Sequence, residues 1–251
     1  MNDNGRKFPD MGRVSDIDEG GVTRRRFIKG AGGAVGLAAA ASLGLPAAGM
    51  AKAEVEFISS SCGDVEKAGA RVLVAYASRA GSTGGVADAI GKELCAAGAA
   101  ADVRLIKQVT GLDPYDAVII GSPARNERWL KEARDFMDKY KQALGQMPVA
   151  LFATCLKTAP GQPSLSLRGP LPDEPVEKKR QRVRAYLDPV LKKAPQVKPL
   201  DIAVFAGALD YSKLSRPAKA ALKSNGFIEG DFRDWERIRR WAGSIAPALV
   251  K

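Results

Sequence analysis

Ser78, Arg79, Ala80, Gly81, Ser82 and Thr83 form a short loop of small and hydroxyl-bearing residues. It lies between an apolar run and a segment with helical spacing. Residues of these types at that junction hold phosphate. The first N–H groups of a helix have no intrahelical partner, the helix dipole is positive there, and hydroxyls add donors. Which phosphate follows from what the loop lacks. The dinucleotide fingerprint needs G-x-G-x-x-G, and the loop reads Ser-Arg-Ala-Gly-Ser-Thr-Gly. The nucleotide-triphosphate loop needs a lysine followed by Ser or Thr, and no lysine is present. Neutral donors around a single central glycine suit a phosphate monoester.

The elements that must position this loop are legible on both sides. Residues 71–77 are an apolar run, and Val86, Ile90 and Leu94 then recur every fourth residue, up to Gly98 at the helix end. Further strands are expected at 101–106, 116–121, 148–153 and 200–206. Helices are expected at 129–144, with Trp129, Ala133, Phe136 and Tyr140 on one face, and around 177–191. A last helix is expected from about Phe232, capped by Asp231, with Trp235, Ile238, Ala242 and Ile245 as its buried stripe. Strands this apolar, alternating with helices, predict an α/β fold: a parallel sheet covered on both faces.

The loop resembles that of flavodoxins, whose first loop follows [ST]-x-[ST]-G-x-T and holds the phosphate of FMN. Ser78, Gly81 and Thr83 match, whereas Ala80 lacks the second hydroxyl. The resemblance implies a flavodoxin-like, doubly wound, five-stranded parallel sheet. Its ligand crevice lies at the carboxyl ends of the strands, where strand order reverses. Beside the first strand this places Ser122, Pro123, Ala124, Arg125 and Asn126, and also Thr154, Cys155, Leu156 and Lys157. In the family these two loops flank the isoalloxazine ring. Here the second loop has no aromatic before Trp129, which is read as core, so Arg125 or backbone atoms are expected to cover the ring.

Residues 204–211 and 230–235 resemble the C-terminal half of the flavodoxin branch that contains the menaquinone-dependent protoporphyrinogen dehydrogenases. The resemblance covers about residues 71–247. It implies FMN as cofactor and electron transfer to or from a quinone or a redox partner protein. Protoporphyrinogen oxidation is the alternative it implies, and a binding module that has lost FMN is the reading of a different class. A flavin supplies its own redox chemistry, so no catalytic side chain is assigned. The segment 158–195 is longer than an ordinary strand–helix connection, and it opens with a proline-punctuated stretch.

The first fifty-odd residues carry a different signal. Thr23-Arg24-Arg25-Arg26-Phe27-Ile28-Lys29 has the form of a twin-arginine export motif. A Gly/Ala-rich run follows, too short and too diluted for a bilayer span, which takes about 20 apolar residues. Cleavage is expected after Ala53 or Ala51. The expected organisation is a signal peptide at 1–53, a flexible lead-in at 54–70 and one domain at 71–251. Export to the periplasm by the twin-arginine machinery follows, and that machinery carries folded proteins, often with cofactor already inserted.

The 251-residue chain is basic, with 39 Lys and Arg against 28 Asp and Glu; beyond residue 53, 31 and 23 remain, a charge of +8. Such a surface suits acidic protein partners, anionic lipid head groups or a carboxylated substrate. No nucleic-acid motif occurs. The chain contains no histidine, and its three cysteines have no metal-ligand spacing, which argues against zinc and against Ser-His or Cys-His hydrolysis. One thiol of the three must stay unpaired. Cys95 is expected as a small buried residue, and Cys62 lies in the lead-in.

Overall fold

The central strands of the sheet are apolar on both sides because helices cover both of its faces. The computed structural model describes residues 55–250; the expected signal segment lies outside the described residues. The elements follow as β1 (Ser60–Cys62), β2 (Arg71–Tyr76), α1 (Ser82–Ala96), β3 (Ala100–Leu105), β4 (Ala117–Arg125), β5 (Arg128–Trp129) and α2 (Lys131–Leu144). Next come β6 (Val149–Thr154), β7 (Leu165–Ser166), β8 (Gly169–Pro170), α3 (Val176–Ala185) and α4 (Asp188–Lys193). The chain closes with β9 (Ile202–Phe205), β10 (Ala208–Leu209), α5 (Arg216–Ser224), β11 (Gly230–Asp231) and α6 (Trp235–Leu249).

The sheet order is β1-β3-β2-β4-β6-β9. From β3 to β9 every pairing is parallel. These five strands are the expected doubly wound core, with its order reversing between β2 and β4. Side-chain alternation divides the interior. Leu73 and Ala75 face a core built with Phe136, Met137, Val183 and Leu187. Val72, Val74 and Tyr76 face the opposite core, with Ile90, Leu94, Ile238 and Ala242. Gly121 sits where the sheet leaves no room: a Cβ there would lie 2.0 Å from Cζ of buried Phe152. Gly121→Ala is expected to destabilise the fold by about 1–3 kcal/mol through overpacking, measured by denaturant unfolding.

The structure corrects several expectations. The sheet exceeds five strands: β5 pairs with the end of β4, and β1 adds antiparallel to β3, Ser60 opposite Val103 and Cys62 opposite Ala101. The segment read as a flexible lead-in therefore supplies an edge strand. Cys95 is not a simple core residue but is disulfide-bonded to Cys62, with Cα atoms 6.0 Å apart, and Cys155 is free and buried. The final helix begins at Trp235 and is capped by Asp234, which accepts from the Arg237 N–H at 2.9 Å; Asp231 instead lies in β11. The helix expected at 177–191 is two, α3 and α4. Trp129 is 1% exposed and belongs to the core, as expected.

A buried carboxylate fastens the edge. Asp102 on β3 accepts from Ser61 Oγ (2.6 Å), Arg71 Nη2 (2.8 Å), Arg104 Nη2 (2.9 Å) and Tyr115 Oη (3.1 Å). Burial alone would raise its pKa; these hydrogen bonds and the charge of Arg104 outweigh burial and lower it below the usual value of 3.8. A folded-state pKa below the unfolded one adds stability that is present above pH 4 and is lost as pH falls through the folded value. Asp102→Asn is expected to cost about 2 kcal/mol at pH 7. In denaturant melts across pH 2–7, the gap from the parent protein should close at the acid end.

Candidate functional site

The loop after β2 is built as an anion cradle. Gly81 takes φ +85°, a left-handed conformation that L side chains rarely adopt, and so turns the chain into α1. Ser78 Oγ accepts from the Gly81 N–H at 2.9 Å and holds the turn closed. No side chain caps α1 and its first turn carries no acidic residue, so the N–H groups of Ser82 and Thr83 have no intrahelical partner. Thr83 and Thr154 are both buried, and their hydroxyls meet at 3.0 Å, linking this loop to the end of β6. A donor set of backbone N–H groups, Ser and Thr at a positive helix end fits a phosphate monoester.

A cleft of about 400 Å³ opens at the carboxyl ends of the strands. Of the residues expected there, Ser78, Arg79, Ala80, Ser82, Thr83, Pro123, Ala124, Arg125, Asn126, Thr154, Cys155 and Leu156 line it. Gly81 shapes the loop without lining the cleft. Ser122 is fully buried beneath it, its Oγ accepting from the Leu130 N–H at 3.1 Å and donating to the Pro123 carbonyl at 3.1 Å. The second loop is a β-hairpin: Asn126 and Glu127 adopt φ 48° and 59° between the paired Arg125 and Arg128. Two consecutive left-handed residues match the right-handed twist of a two-residue hairpin. Glu127 then joins three loops, accepting from the Leu167 N–H at 2.9 Å and lying 4.0 Å from Lys157 Nζ.

The cleft has one wall that the sequence reading missed. Leu165 and Leu167 of the β7–β8 hairpin, Leu209, and Leu214, Leu222 and Phe227 around α5 line it. Phe227 is the one aromatic among the described residues lining the cleft. The signal was available: Leu214, Ala218, Ala221 and Leu222 fall at i, i+4, i+7 and i+8, a helical stripe. None of the residues of α5 is buried, so this apolar stripe meets the cleft rather than a protein core. The two C-terminal segments that carry the family resemblance are joined here, because β10 pairs with β11, Ala208 opposite Asp231 and Leu209 opposite Gly230.

Electrostatically the cleft is cationic. Arg79 pairs with Glu132 at 3.0 Å, but Arg125 has no carboxylate partner among the described residues. Partial loss of solvent, and then the neighbouring charge of Arg79, lower the Arg125 pKa from its ordinary value, so an anion beside it would be stabilised. Burial pushes the Cys155 thiol pKa up, so this cysteine is a neutral packing residue of the cleft and not a thiolate. Among the described residues no cluster of Cys, Asp and Glu could hold a metal ion.

Among solved structures, a flavodoxin from the domain Archaea aligns at 16% identity over 71% of this chain and 98% of its own, with a TM-score of 0.44. Oxidised flavodoxin 1 from Bacillus cereus aligns at 14% identity over 71% and 99%, with a TM-score of 0.41. The flavodiiron core from Synechocystis aligns at 13% identity over 74% of this chain and 37% of its own, with a TM-score of 0.45. No curated protein sequence matches. The family model for the flavodoxin domain matches residues 73–231. Its span begins in β2, takes in the phosphate-type loop and the three loops of the cleft, and ends in β11. The chain belongs to the flavodoxin-domain family.

Proposed function

We propose that the cleft binds FMN and that the protein is an exported electron carrier or FMN-dependent oxidoreductase. The observation that carries this is the α1 N-terminus, which offers uncapped N–H groups and hydroxyls with no acidic residue in its first turn. Ser78, Ser82 and Thr83 hold the phosphate, and the Pro123–Asn126 and Thr154–Leu156 loops border the ring, with Arg125 at its edge. When bound, FMN supplies hydride and single-electron chemistry through its own ring. The chain's own groups orient it, exclude water with the leucine wall, and balance added negative charge with Arg125. The absence of a stacking aromatic in the second and third loops leaves Phe227 and leucines to cover the ring.

A quinone is the acceptor that this surface suits best, because the stripe on α5 is apolar and open to the cleft. A quinone-linked branch, the one containing menaquinone-dependent protoporphyrinogen dehydrogenases, is the finer placement, supported by the paired segments at β10 and β11. Protein loaded with FMN and reduced by dithionite under anaerobic conditions is expected to be reoxidised by a soluble menaquinone analogue. Leu222→Glu is expected to slow that reoxidation about tenfold when the rates are compared per bound flavin, by placing a charge on the apolar wall. Unchanged rates in Leu222→Glu would remove the quinone assignment.

Export to the periplasm is part of the same reading. It rests on the motif at residues 23–29 and on the Cys62–Cys95 disulfide, a bond that persists in oxidising compartments. Among the described residues no helix is long and apolar enough to cross a membrane. A reporter fused to residues 1–53 should be exported, and Arg24→Lys with Arg25→Lys should block it. Normal secretion of that variant would refute the twin-arginine assignment.

A further inference from the structure

We propose that the unpaired edge of β9 is a docking groove in which an extended acidic segment of a partner protein adds a strand to the sheet, displacing the side chains that now cover it. The site is separate from the FMN cleft and does not depend on it. Strand β9 pairs with β6 on one side only, so it ends the sheet. Leu151 N–H donates to Asp201 O and Cys155 N–H to Phe205 O, which turns the backbone groups of Ile202 and Val204 outward. A groove of about 560 Å³ runs along this edge between α3 and α6, floored by residues 202–205.

An unpaired edge is a template for another strand, and proteins that do not use it cover or charge it. Here the covering is partial. Ile202 is occupied internally: its N–H donates to Asp201 Oδ1 at 2.7 Å, and its carbonyl accepts from Arg184 Nη1 at 2.9 Å. Val204 has no such substitute among the described hydrogen bonds; the residue is only 4% exposed, and its N–H and carbonyl lie on the outward side of the strand at the floor of the groove. An incoming strand gains that pair directly and the Ile202 carbonyl when Arg184 turns to a carboxylate of the partner.

The charge of the walls selects the occupant. Arg180 and Arg184 on α3 and Arg237 and Arg240 on α6 line the groove, against Glu177 and Asp201. Arg180 Nη1 pairs with Glu177 at 3.1 Å, and its Nε is buried without a partner, a donor that a carboxylate reaches only when this side chain turns into the groove. Arg237 makes no ion pair among those of the described residues. The walls are thus net positive on a protein of net charge +11, which disfavours a second copy of this chain and favours an acidic partner.

The test uses an acetylated octapeptide of alternating glutamate and valine, titrated into the purified protein by calorimetry, with Trp241 fluorescence as a second readout because that ring lines the groove. The expected result is saturable one-to-one binding. It should weaken at least tenfold for the lysine–valine peptide, for the fully N-methylated glutamate–valine peptide, and for Arg180→Gln or Arg237→Gln in protein with unchanged thermal stability. Tenfold corresponds to about 1.4 kcal/mol. No binding of the parent peptide overturns the proposal. Equal binding of the N-methylated peptide overturns strand addition, since charge alone would then hold it. A dimer in sedimentation that Arg180→Gln dissociates makes the occupant a second copy and overturns the acidic partner.

Discussion

Reducing the Cys62–Cys95 disulfide is expected to lower the thermal midpoint of this domain by about 10 °C. The bond closes a loop of 33 residues. Cross-linking a loop of that length removes denatured-state entropy worth about 3–4 kcal/mol, and for a domain of this size each kcal/mol shifts the midpoint by roughly 2–4 °C. Native contacts make the bond more than a tether. It fixes β1 to α1, while Ser60 Oγ donates to Asp88 Oδ1 at 2.7 Å and Tyr76 Oη donates to the Ile58 carbonyl at 2.8 Å. Burial pushes the Tyr76 pKa up to about 12, so the phenol stays a neutral donor. Cys62→Ser with Cys95→Ser should match the reduced protein, since Cys155 is buried and outside the bond. Scanning calorimetry with and without reductant measures the shift. An unchanged midpoint, with both thiols shown to be free, would contradict it.

The same segment bears on the phosphate-type loop. The backbone near Glu56 passes so close to Gly81 that a Cβ there would lie 3.1 Å from the Glu56 carbonyl oxygen. The segment that leads into the edge strand and the phosphate-type loop are therefore packed as neighbours, and loosening the first is expected to soften the second.

Ser82→Ala with Thr83→Ala is expected to weaken FMN uptake about a hundredfold. Each hydroxyl donated to a charged phosphate is worth roughly 1.5–3 kcal/mol, and two at the lower bound give about 3 kcal/mol. Thr83 has a second role, because its hydroxyl bonds Thr154 in a buried position. Thr83→Ala alone therefore leaves Thr154 without a partner and costs about 1 kcal/mol of stability. Thr83→Ser keeps the hydroxyl and should recover both stability and uptake. Equilibrium titration with FMN, paired with denaturant melts, separates the two roles. Equal affinity in the parent and the double variant would place the phosphate elsewhere.

Much of the fold was legible because the parallel core is written locally. The run at β2, the i, i+4 spacing of Val86, Ile90 and Leu94, and the apolar strands β4 and β6 specify element types without long-range information. Most of the expected site residues line one cleft for the same reason: strand ends in such a sheet converge by topology. What escaped was set by tertiary contacts. Edge strand β1 is only three residues long, and it exists because Asp102 and the disulfide hold it. Its register could not be read from Ser60-Ser61-Cys62. Asp231 and Asp234 are both plausible caps by type, and the pairing of β10 with β11 decides between them. The α5 stripe was visible as spacing, but only the folded chain turns it toward the cleft.

The proposed function depends on the α1 N-terminus binding a flavin phosphate. The most direct test is titration of purified protein, stripped of ligand, with FMN and with riboflavin. One FMN per chain, shifted flavin absorbance bands, and riboflavin bound at least about a hundredfold more weakly are expected, because riboflavin lacks the phosphate that the proposed function assigns to Ser78, Ser82 and Thr83. Protein that takes up neither flavin, or binds both equally, would contradict it.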